Sequence, residues 1–245
     1  MKIPATINAW RLVLAYGVER RELAHNAAAG IKKVPRERRE MDTDLPEEIG
    51  RVLKAADGDR NGHAWYLALS GLRRGEIAGL RWSDIDFDAG TVTIARSRVQ
   101  VGSKTVVENA PKTEASRRTL PLDDGMLAVL KRAHTKQAQE KLRAGAAYAD
   151  SGYVAANEIG EPYTPGALTN MWHRLTKTAG VRPIRLHDAR HTAGTAMHLR
   201  GVPLAVIAAW LGHADASVTA RIYAHSQADE LKAAGQTLGA VVTSS

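Results

Sequence analysis

Strand-forming residues are concentrated in one short part of this 245-residue chain, between residues 91 and 122. Thr91–Ile94 alternates β-branched residues, and residues 104–108 and 117–122 have a similar pattern, with turn-forming residues between them. From Asp124 onward the apolar residues recur at helical spacing. The sequence therefore predicts an α+β fold that is mainly helical, with one small three-stranded antiparallel sheet.

The predicted helices begin before this strand region and continue after it. Asp44, followed by Pro46 and two glutamates, is typical of a helix start. A first helix at about residues 5–18 has no partner for its apolar face, so we interpret it as the remnant of a larger helical domain. The others are predicted at residues 46–56, 61–70, 74–80, 124–143, 165–179, 187–200, 203–210, 215–224 and 227–238.

The charge balance favours a polyanionic partner. Lys and Arg number 34 against 26 Asp and Glu, a formal net charge of +8, and nucleic acid is the commonest partner of such a chain. The absence of cysteine excludes disulfides, thiolate nucleophiles and Cys-ligated zinc. With neither a membrane-spanning run nor a signal segment in the sequence, we expect a cytoplasmic protein.

Several residues whose side chains can bind a phosphate or react with it are spread over residues 73–223. Arg73 and Glu76 are three residues apart at a predicted helix start and share a face, which Gly75 leaves open for close approach. Arg74 is as good a candidate phosphate ligand as Arg73. The alternative is an ordinary ion pair on a helix surface.

Further cations follow along the chain. Lys112 lies at a predicted turn between two strands, where its ammonium group can donate a proton to a leaving oxygen. His187 and Arg190 share one face of a predicted helix, and imidazole beside guanidinium can bond two phosphate oxygens. His213 follows, and then Tyr223, whose phenol has a pKa of about 10 and needs surrounding cations to become a nucleophile.

Two other readings use the same residues. His187 and His191 with Asp188 between them imitate a helical zinc-hydrolase motif, but Arg190 places a cation beside that metal position. Residues 203–221 are compatible with a helix-turn-helix DNA reader, although the second helix offers few base-reading side chains.

The complete set resembles the tyrosine recombinase (phage integrase) family. The matching parts are Gly-Leu-Arg-x-Gly-Glu at 71–76, Lys112, Leu-His-Asp-x-Arg-His-Thr at 186–192, Leu-Gly-His at 211–213, and Tyr223. The resemblance covers about residues 45–225, and the last two histidine segments together with the tyrosine are its most specific part.

The resemblance implies a role for each of these side chains. Arg73 and Arg190 would hold the scissile phosphate, and Lys112 would protonate the departing 5′ oxygen. Tyr223 would attack the phosphorus and form a 3′-phosphotyrosyl intermediate. Rejoining would then need no ATP, because the covalent bond conserves the energy of the phosphodiester. Arg and Lys would replace the metal ions that other nucleases use for charge stabilisation.

The remaining residues have supporting roles in this interpretation. His187 and His213 would bind the phosphate, and His187 would also transfer protons. Glu76 would orient the arginine region, and His191 would support it. We expect DNA-backbone contacts from six basic residues: Lys32, Lys33, Arg36, Arg74, Arg117 and Arg118.

The implied protein is a DNA-cutting and DNA-joining enzyme of a mobile element, with no cofactor and no metal. Residues 1–34 would be the domain remnant and the start of a linker, 35–225 the catalytic domain, and 226–245 a tail exchanged between protomers. Its partners would be double-stranded DNA, three further copies of itself in a tetramer, and accessory DNA-bending proteins. The alternative function is a non-enzymatic helix-turn-helix regulator.

Overall fold

The computed structural model describes residues 3–31, 46–102, 105–109 and 117–213. The chain divides into two compact units, residues 1–40 and 41–245. The charged segment 32–45 and the predicted helices after residue 213 lie outside the described residues. Within the described part, no helix combines the length and apolarity needed to cross a membrane.

The described residues of the first unit, 3–31, contain one helix, α1, at Ile3–Glu19. The chain after it folds back, because Arg11 Nε donates to the Ala28 carbonyl at 2.8 Å and Asn26 Nδ2 donates to the Arg11 carbonyl at 3.0 Å. Trp10 nevertheless stays 59% exposed. The predicted first helix is therefore present, with its apolar face largely open within this unit.

The second unit contains seven α-helices among its described residues. Most of them begin at the residue that the sequence predicts. Asp123 caps one helix, and Thr164, followed by Pro165, caps another. The helices are α2 (Pro46–Asp57), α3 (Gly62–Leu69), α4 (Arg74–Gly79), α5 (Asp124–Ala144), α6 (Pro165–Thr178), α7 (Leu186–His198) and α8 (Leu204–Leu211). Short 3-10 turns lie at Trp82–Asp84 and Gly145–Ala147.

In the part of the second unit that the structure describes, five strands form two separate antiparallel sheets. They are β1 (Ile85–Asp86), β2 (Thr91–Ile94), β3 (Ser97–Val101), β4 (Thr105–Asn109) and β5 (Arg118–Pro121). The three-stranded sheet has the order β1-β2-β5, and β3 pairs only with β4 in a hairpin. Ile85, Val92 and Leu120 are paired across the three strands and all point into the core.

The mainly helical fold with a three-stranded antiparallel sheet is confirmed, but the strands differ from the predicted set. Residues 104–108 were expected beside Thr91–Ile94, whereas β4 pairs with β3, a strand that the sequence did not predict. β3 does alternate, with Val99 and Val101 between Arg98 and Gln100, but its valines are exposed and do not mark a core face. β1 has only two residues, too few to show the period-2 pattern on which strand prediction depends.

The core of the second unit lies between α3, α6 and the three-stranded sheet. Trp65 and Trp172 are fully buried, with ring centroids 5.8 Å apart. Each indole N–H is satisfied, by Asp59 Oδ2 at 2.8 Å and by the Ile184 carbonyl at 2.9 Å. As the single Phe of the sequence implies, aliphatic residues and tryptophans fill this core.

Helix α4 lies directly against the β3 backbone at Gly75. A Cβ at this position would meet the Arg98 carbonyl oxygen at 2.7 Å and would also clash with the Ser97 hydroxyl. The close approach that Gly75 permits is therefore between α4 and β3. This contact fixes the first turn of α4, where Arg73 and Glu76 lie.

Replacing Gly75 with alanine should destabilise the protein by about 1–3 kcal/mol, because backbone atoms must move to admit the methyl group. The matched control is Gly50→Ala in the middle of α2, where a Cβ meets nothing within 4 Å. That change should stabilise the protein by about 0.5–1 kcal/mol through helix propensity. Denaturant unfolding of both variants measures the difference, and equal effects would contradict the assigned α4–β3 contact.

Candidate active site

Glu76 is a buried carboxylate at the start of α4. Its side chain is 5% exposed, and its Oε2 accepts the backbone N–H of Arg73 at 2.8 Å, which caps the helix. Its Oε1 accepts Nη1 of the same arginine, also at 2.8 Å. The predicted Arg73–Glu76 pair therefore forms, with its carboxylate inside the protein and with Arg73 36% exposed.

Arg118 holds the same carboxylate from the opposite side. Its Nη1 and Nη2 donate to Glu76 Oε1 and Oε2 at 3.1 and 3.0 Å, a bidentate pair. Burial alone would raise the pKa of Glu76, but the hydrogen bonds and charge of Arg118, followed by those of Arg73, outweigh burial and lower it. The Arg118 side chain is only 7% exposed, so it lies inside the protein and not on the surface where a DNA contact was expected.

Arg190 is the third guanidinium near this carboxylate. Its Nη1 lies 4.0 Å from Glu76 Oε2 and donates to the Gly71 carbonyl at 2.7 Å. Its Nη2 donates to the Leu211 carbonyl. The side chain is 2% exposed. Arg190 therefore joins α7 to the turn before α4 and to the end of α8.

The three arginines each bond one of three successive carbonyls at the end of α8. Arg118 Nε donates to Trp210 at 2.6 Å, Arg190 to Leu211, and Arg73 Nη2 to Gly212 at 2.7 Å. These carbonyls carry the partial negative charge of the helix C-terminus, which favours cations. One carboxylate and one helix end thus hold three guanidinium groups together.

Gly212 makes this arrangement possible. It ends α8 in the left-handed conformation, with φ of 62°, and a Cβ here would lie 2.7 Å from Arg118 Nη1. The next residue, His213, donates its backbone N–H to the Ala208 carbonyl at 2.9 Å. Its side chain is therefore placed beside the arginines: burial first, and then the charges of Arg190 and Arg73, lower its pKa to about 4.

Helix α7 contributes two more histidines. The rings of His187 and His191 are 4.9 Å apart, edge to face. Burial followed by the charge of Arg190 lowers the pKa of His187, and burial followed by His187 lowers that of His191 to about 4. Asp188 between them is buried and accepts both Arg185 Nε and Nη2, at 2.8 and 2.9 Å. In the part of the chain that the structure describes, no group of three or more His, Asp or Glu residues is placed to hold a metal ion.

A cleft of about 520 Å³ opens between α4, β3, α6 and α7, beside these groups. His187 and Arg73 lie at its edge, and Arg74 crosses it to donate to Thr169 Oγ1 at 2.9 Å. Its lining is rich in cations and hydroxyl groups. The polar lining residues are Arg73, Arg74, Ser97, Arg98, Gln100, Thr169, His173, Arg185 and His187.

The predicted site residues thus fall into three groups. Arg73, Glu76, His187, Arg190, His191 and His213 converge on one region, together with Arg118, whereas Arg74 and Arg117 are exposed. The others lie outside the described residues: Lys32, Lys33, Arg36, Lys112 and Tyr223. The second helix of the possible helix-turn-helix, after His213, also lies outside the described residues.

Strand alternation contained a signal for the position of Arg118. Arg118 and Leu120 are two residues apart on β5 and therefore face the same side of the sheet, and Leu120 is buried. Arg117 points the other way and is exposed. Arg185, His173 and the α8 carbonyls had no comparable sequence signal, because their positions depend on packing between distant segments.

Comparison with known proteins identifies this arrangement. The sequence model of the phage integrase family matches residues 46–230. The chain belongs to the phage integrase family. It is 35% identical over 241 residues to a XerC-like tyrosine recombinase of Caldanaerobacter subterraneus subsp. tengcongensis, covering 91% of this chain and 62% of that relative. The chain thus spans less than two thirds of the relative's length.

Solved structures of integrases have the same fold. The Tn1549 transposon integrase in complex with transposon right end DNA superposes with a TM-score of 0.78 at 19% identity, over 97% of this chain and 80% of that chain. A lambda integrase tetramer bound to a Holliday junction gives a TM-score of 0.61 at 17% identity, over 88% and 57% of the two chains. The mainly helical catalytic fold of the phage integrase family is therefore present here.

The lowered pKa of His213 gives a direct test of the site's electrostatics. Its ring should stay neutral at pH 6 in the folded protein and titrate near pH 4, whereas in urea it should titrate near about 6.5. Because the pKa of His213 is lower in the folded than in the unfolded protein, its contribution to the free energy of unfolding is fully present above about pH 6.5. That contribution is lost as the pH drops toward 4. Histidine NMR titration, with His213→Gln to assign the signal, measures both values. Folded-state titration near 6.5 would contradict the placement of this ring among arginines.

Proposed function

We propose that this chain is a site-specific DNA recombinase that cuts and rejoins DNA through Tyr223. The observation that carries the proposal is the convergence of Arg73, Arg190, His187 and His213 around Glu76, from motifs far apart in the sequence. Membership of the phage integrase family supports the same activity. A DNA regulator of the helix-turn-helix class gives Arg73 no role.

The chemistry matches the groups available. In the proposed step the Tyr223 oxygen attacks the phosphorus, the bond to the 5′ oxygen breaks, and Lys112 gives that oxygen a proton. The tyrosine proton passes to His187, which is neutral at pH 7 because its pKa is lowered. Arg73 from the cleft side and Arg190 from the α8 side offset the charge of the pentavalent phosphate.

The cleft supplies a surface for the DNA strand that leads to this site. Arg74 and Arg185 are exposed along it, and His173 and Thr169 add hydrogen-bonding groups. Phosphate contacts of this kind position a duplex without selecting its sequence. Lys32, Lys33 and Arg36 in the first unit, with Arg117 in the second, would extend this backbone contact.

We further propose that the active assembly is a homotetramer on two duplexes in the prokaryotic cytoplasm. The lambda integrase tetramer on a Holliday junction, a structure with the same fold, supports this assembly. Residues 226–245 would be exchanged between protomers, and accessory DNA-bending proteins would bring the sites together. Residues 1–34 would belong to a separate DNA-embracing domain.

A covalent trap tests the proposed activity. The chain is incubated with nicked duplexes carrying candidate sites that it binds, and the products are run on a denaturing gel beside Tyr223→Phe. We expect an SDS-resistant, protease-sensitive DNA adduct that the phenylalanine variant cannot form. Adding EDTA should leave the adduct unchanged. Binding without any adduct would favour the regulator, and loss of cleavage with EDTA would favour the zinc hydrolase.

The role of Lys112 has its own test. Lys112→Ala should slow cleavage, because the departing 5′ oxygen loses its proton donor, by about 10²–10⁴-fold, the usual contribution of general acid catalysis. In a DNA with sulfur in place of that bridging oxygen, the 5′ thiolate leaves without protonation. This substrate should therefore restore the rate of the variant. Single-turnover kinetics on both substrates measures this, and an equal defect on the sulfur substrate would remove Lys112 from the role.

A further inference from the structure

Arg118 differs from the other arginines of the site in where its donors point. Two of its nitrogens are bonded to the two oxygens of Glu76, and the third is bonded to the Trp210 carbonyl. It is not among the residues that line the cleft, and its side chain is 7% exposed. These contacts are with other parts of the site.

The charges of the site explain why such a contact matters. Three guanidinium groups surround a single carboxylate. Arg118 takes both carboxylate oxygens in bidentate geometry, the strongest form of this pair, whereas Arg190 stays at 4.0 Å. Arg118 thus offsets the negative charge of Glu76 from one side, while Arg73 Nη1 pairs with Oε1 at 2.8 Å from the other.

Arg118 also fixes three segments relative to one another. It lies on β5, bonds Glu76 on α4, and bonds the last turn of α8, directly before Gly212 and His213. The Gly212 position admits no Cβ because Arg118 Nη1 lies there. Any displacement of this guanidinium therefore moves Glu76, which holds Arg73, and the turn that holds His213.

We propose that Arg118 is a positioning residue of the recombination reaction: it neutralises and orients Glu76 so that Arg73, Arg190 and His213 are set for the scissile phosphate. This inference rests on the proposed function. It replaces the expectation that Arg118 contacts the DNA backbone. A phosphate contact would affect binding, whereas a positioning role affects the rate on DNA that is already bound.

The informative substitution is Arg118→Lys. It keeps the positive charge beside Glu76 but loses the planar fork that bonds two oxygens and a carbonyl at once. Arg143→Lys is the control, because Arg143 is an exposed arginine of α5 that has no role in the site or in the proposed DNA contact. Melting curves first establish a temperature at which each variant is folded.

Two measurements at that temperature separate the possibilities. At saturating DNA, the rate of covalent adduct formation by Arg118→Lys should fall about 10- to 100-fold, as expected when reacting groups move by up to about 1 Å. Its DNA affinity and the salt dependence of that affinity should not change. A phosphate contact would instead reduce the slope of log K against log salt by about 0.9, with a normal rate at saturation.

A Glu76→Gln background provides the second variant pair. If Arg118 acts through Glu76, then Glu76→Gln combined with Arg118→Met should form adduct within about twofold of Glu76→Gln alone, because coupled sites are not additive. This pair leaves no unpaired carboxylate in the protein, so it serves if Arg118→Lys does not fold. A further large loss of rate in the double variant overturns the role through Glu76.

The unsubstituted chain separates the two proposals. If it forms the adduct and Arg118→Lys forms it equally fast, or binds DNA with a reduced salt slope, the positioning role is overturned and the recombinase assignment stands. If the unsubstituted chain forms no adduct on a site that it binds, the proposed function fails and the role of Arg118 in it fails as well.

Discussion

The buried carboxylate of Glu76 is the interaction on which the site depends. A carboxylate at this depth is stable only with charge compensation and full hydrogen bonding, and three arginines from three different parts of the chain supply both. The reverse is equally true: three guanidinium groups so close together repel one another unless an anion lies between them. The short helix α4 is therefore held in place by Glu76, a residue of the candidate site. The hydrogen bond from the Arg73 backbone N–H to Glu76 caps the helix and also orients the site.

The end of α8 also compensates the charge of these three arginines. Three consecutive carbonyls at the helix end accept one arginine each, so the helix end satisfies the cations that Glu76 cannot fully satisfy. This explains why the motif at residues 211–213 contains a glycine between leucine and histidine. Leu211 packs against Gly71, Gly212 turns the chain beside Arg118, and His213 then enters the site. The motif at residues 211–213 is in this way required for the geometry of the motif at residues 71–76.

Local patterns predicted most of the fold, and the errors have identifiable physical causes. Helix starts such as Asp123 and Pro165 are encoded within a few residues, so the described helices agree with prediction to within two residues at each end. β3 alternates Val99 and Val101 with polar residues and was not predicted; its valines are exposed, and its pairing with β4 and its contact with α4 at Gly75 depend on tertiary packing. Arg117 and Arg118 were both expected to contact the DNA backbone, whereas the Arg118 side chain is only 7% exposed. Only the burial of Leu120 on the same face of β5 indicates that one of the pair points inward.

The same cations that would bind a phosphate also keep the histidines neutral. Burial lowers the pKa of His213 first, and the charges of Arg190 and Arg73 lower it further, so its imidazole carries no charge at pH 7. Arginine cannot exchange protons in this range, whereas a neutral imidazole can accept one. A bound phosphate anion would offset part of the arginine charge, and the pKa of the nearby imidazoles would rise toward its usual value. The histidines would therefore become better proton acceptors once DNA is in place, since the cations that would hold the phosphate are also those that suppress protonation in its absence.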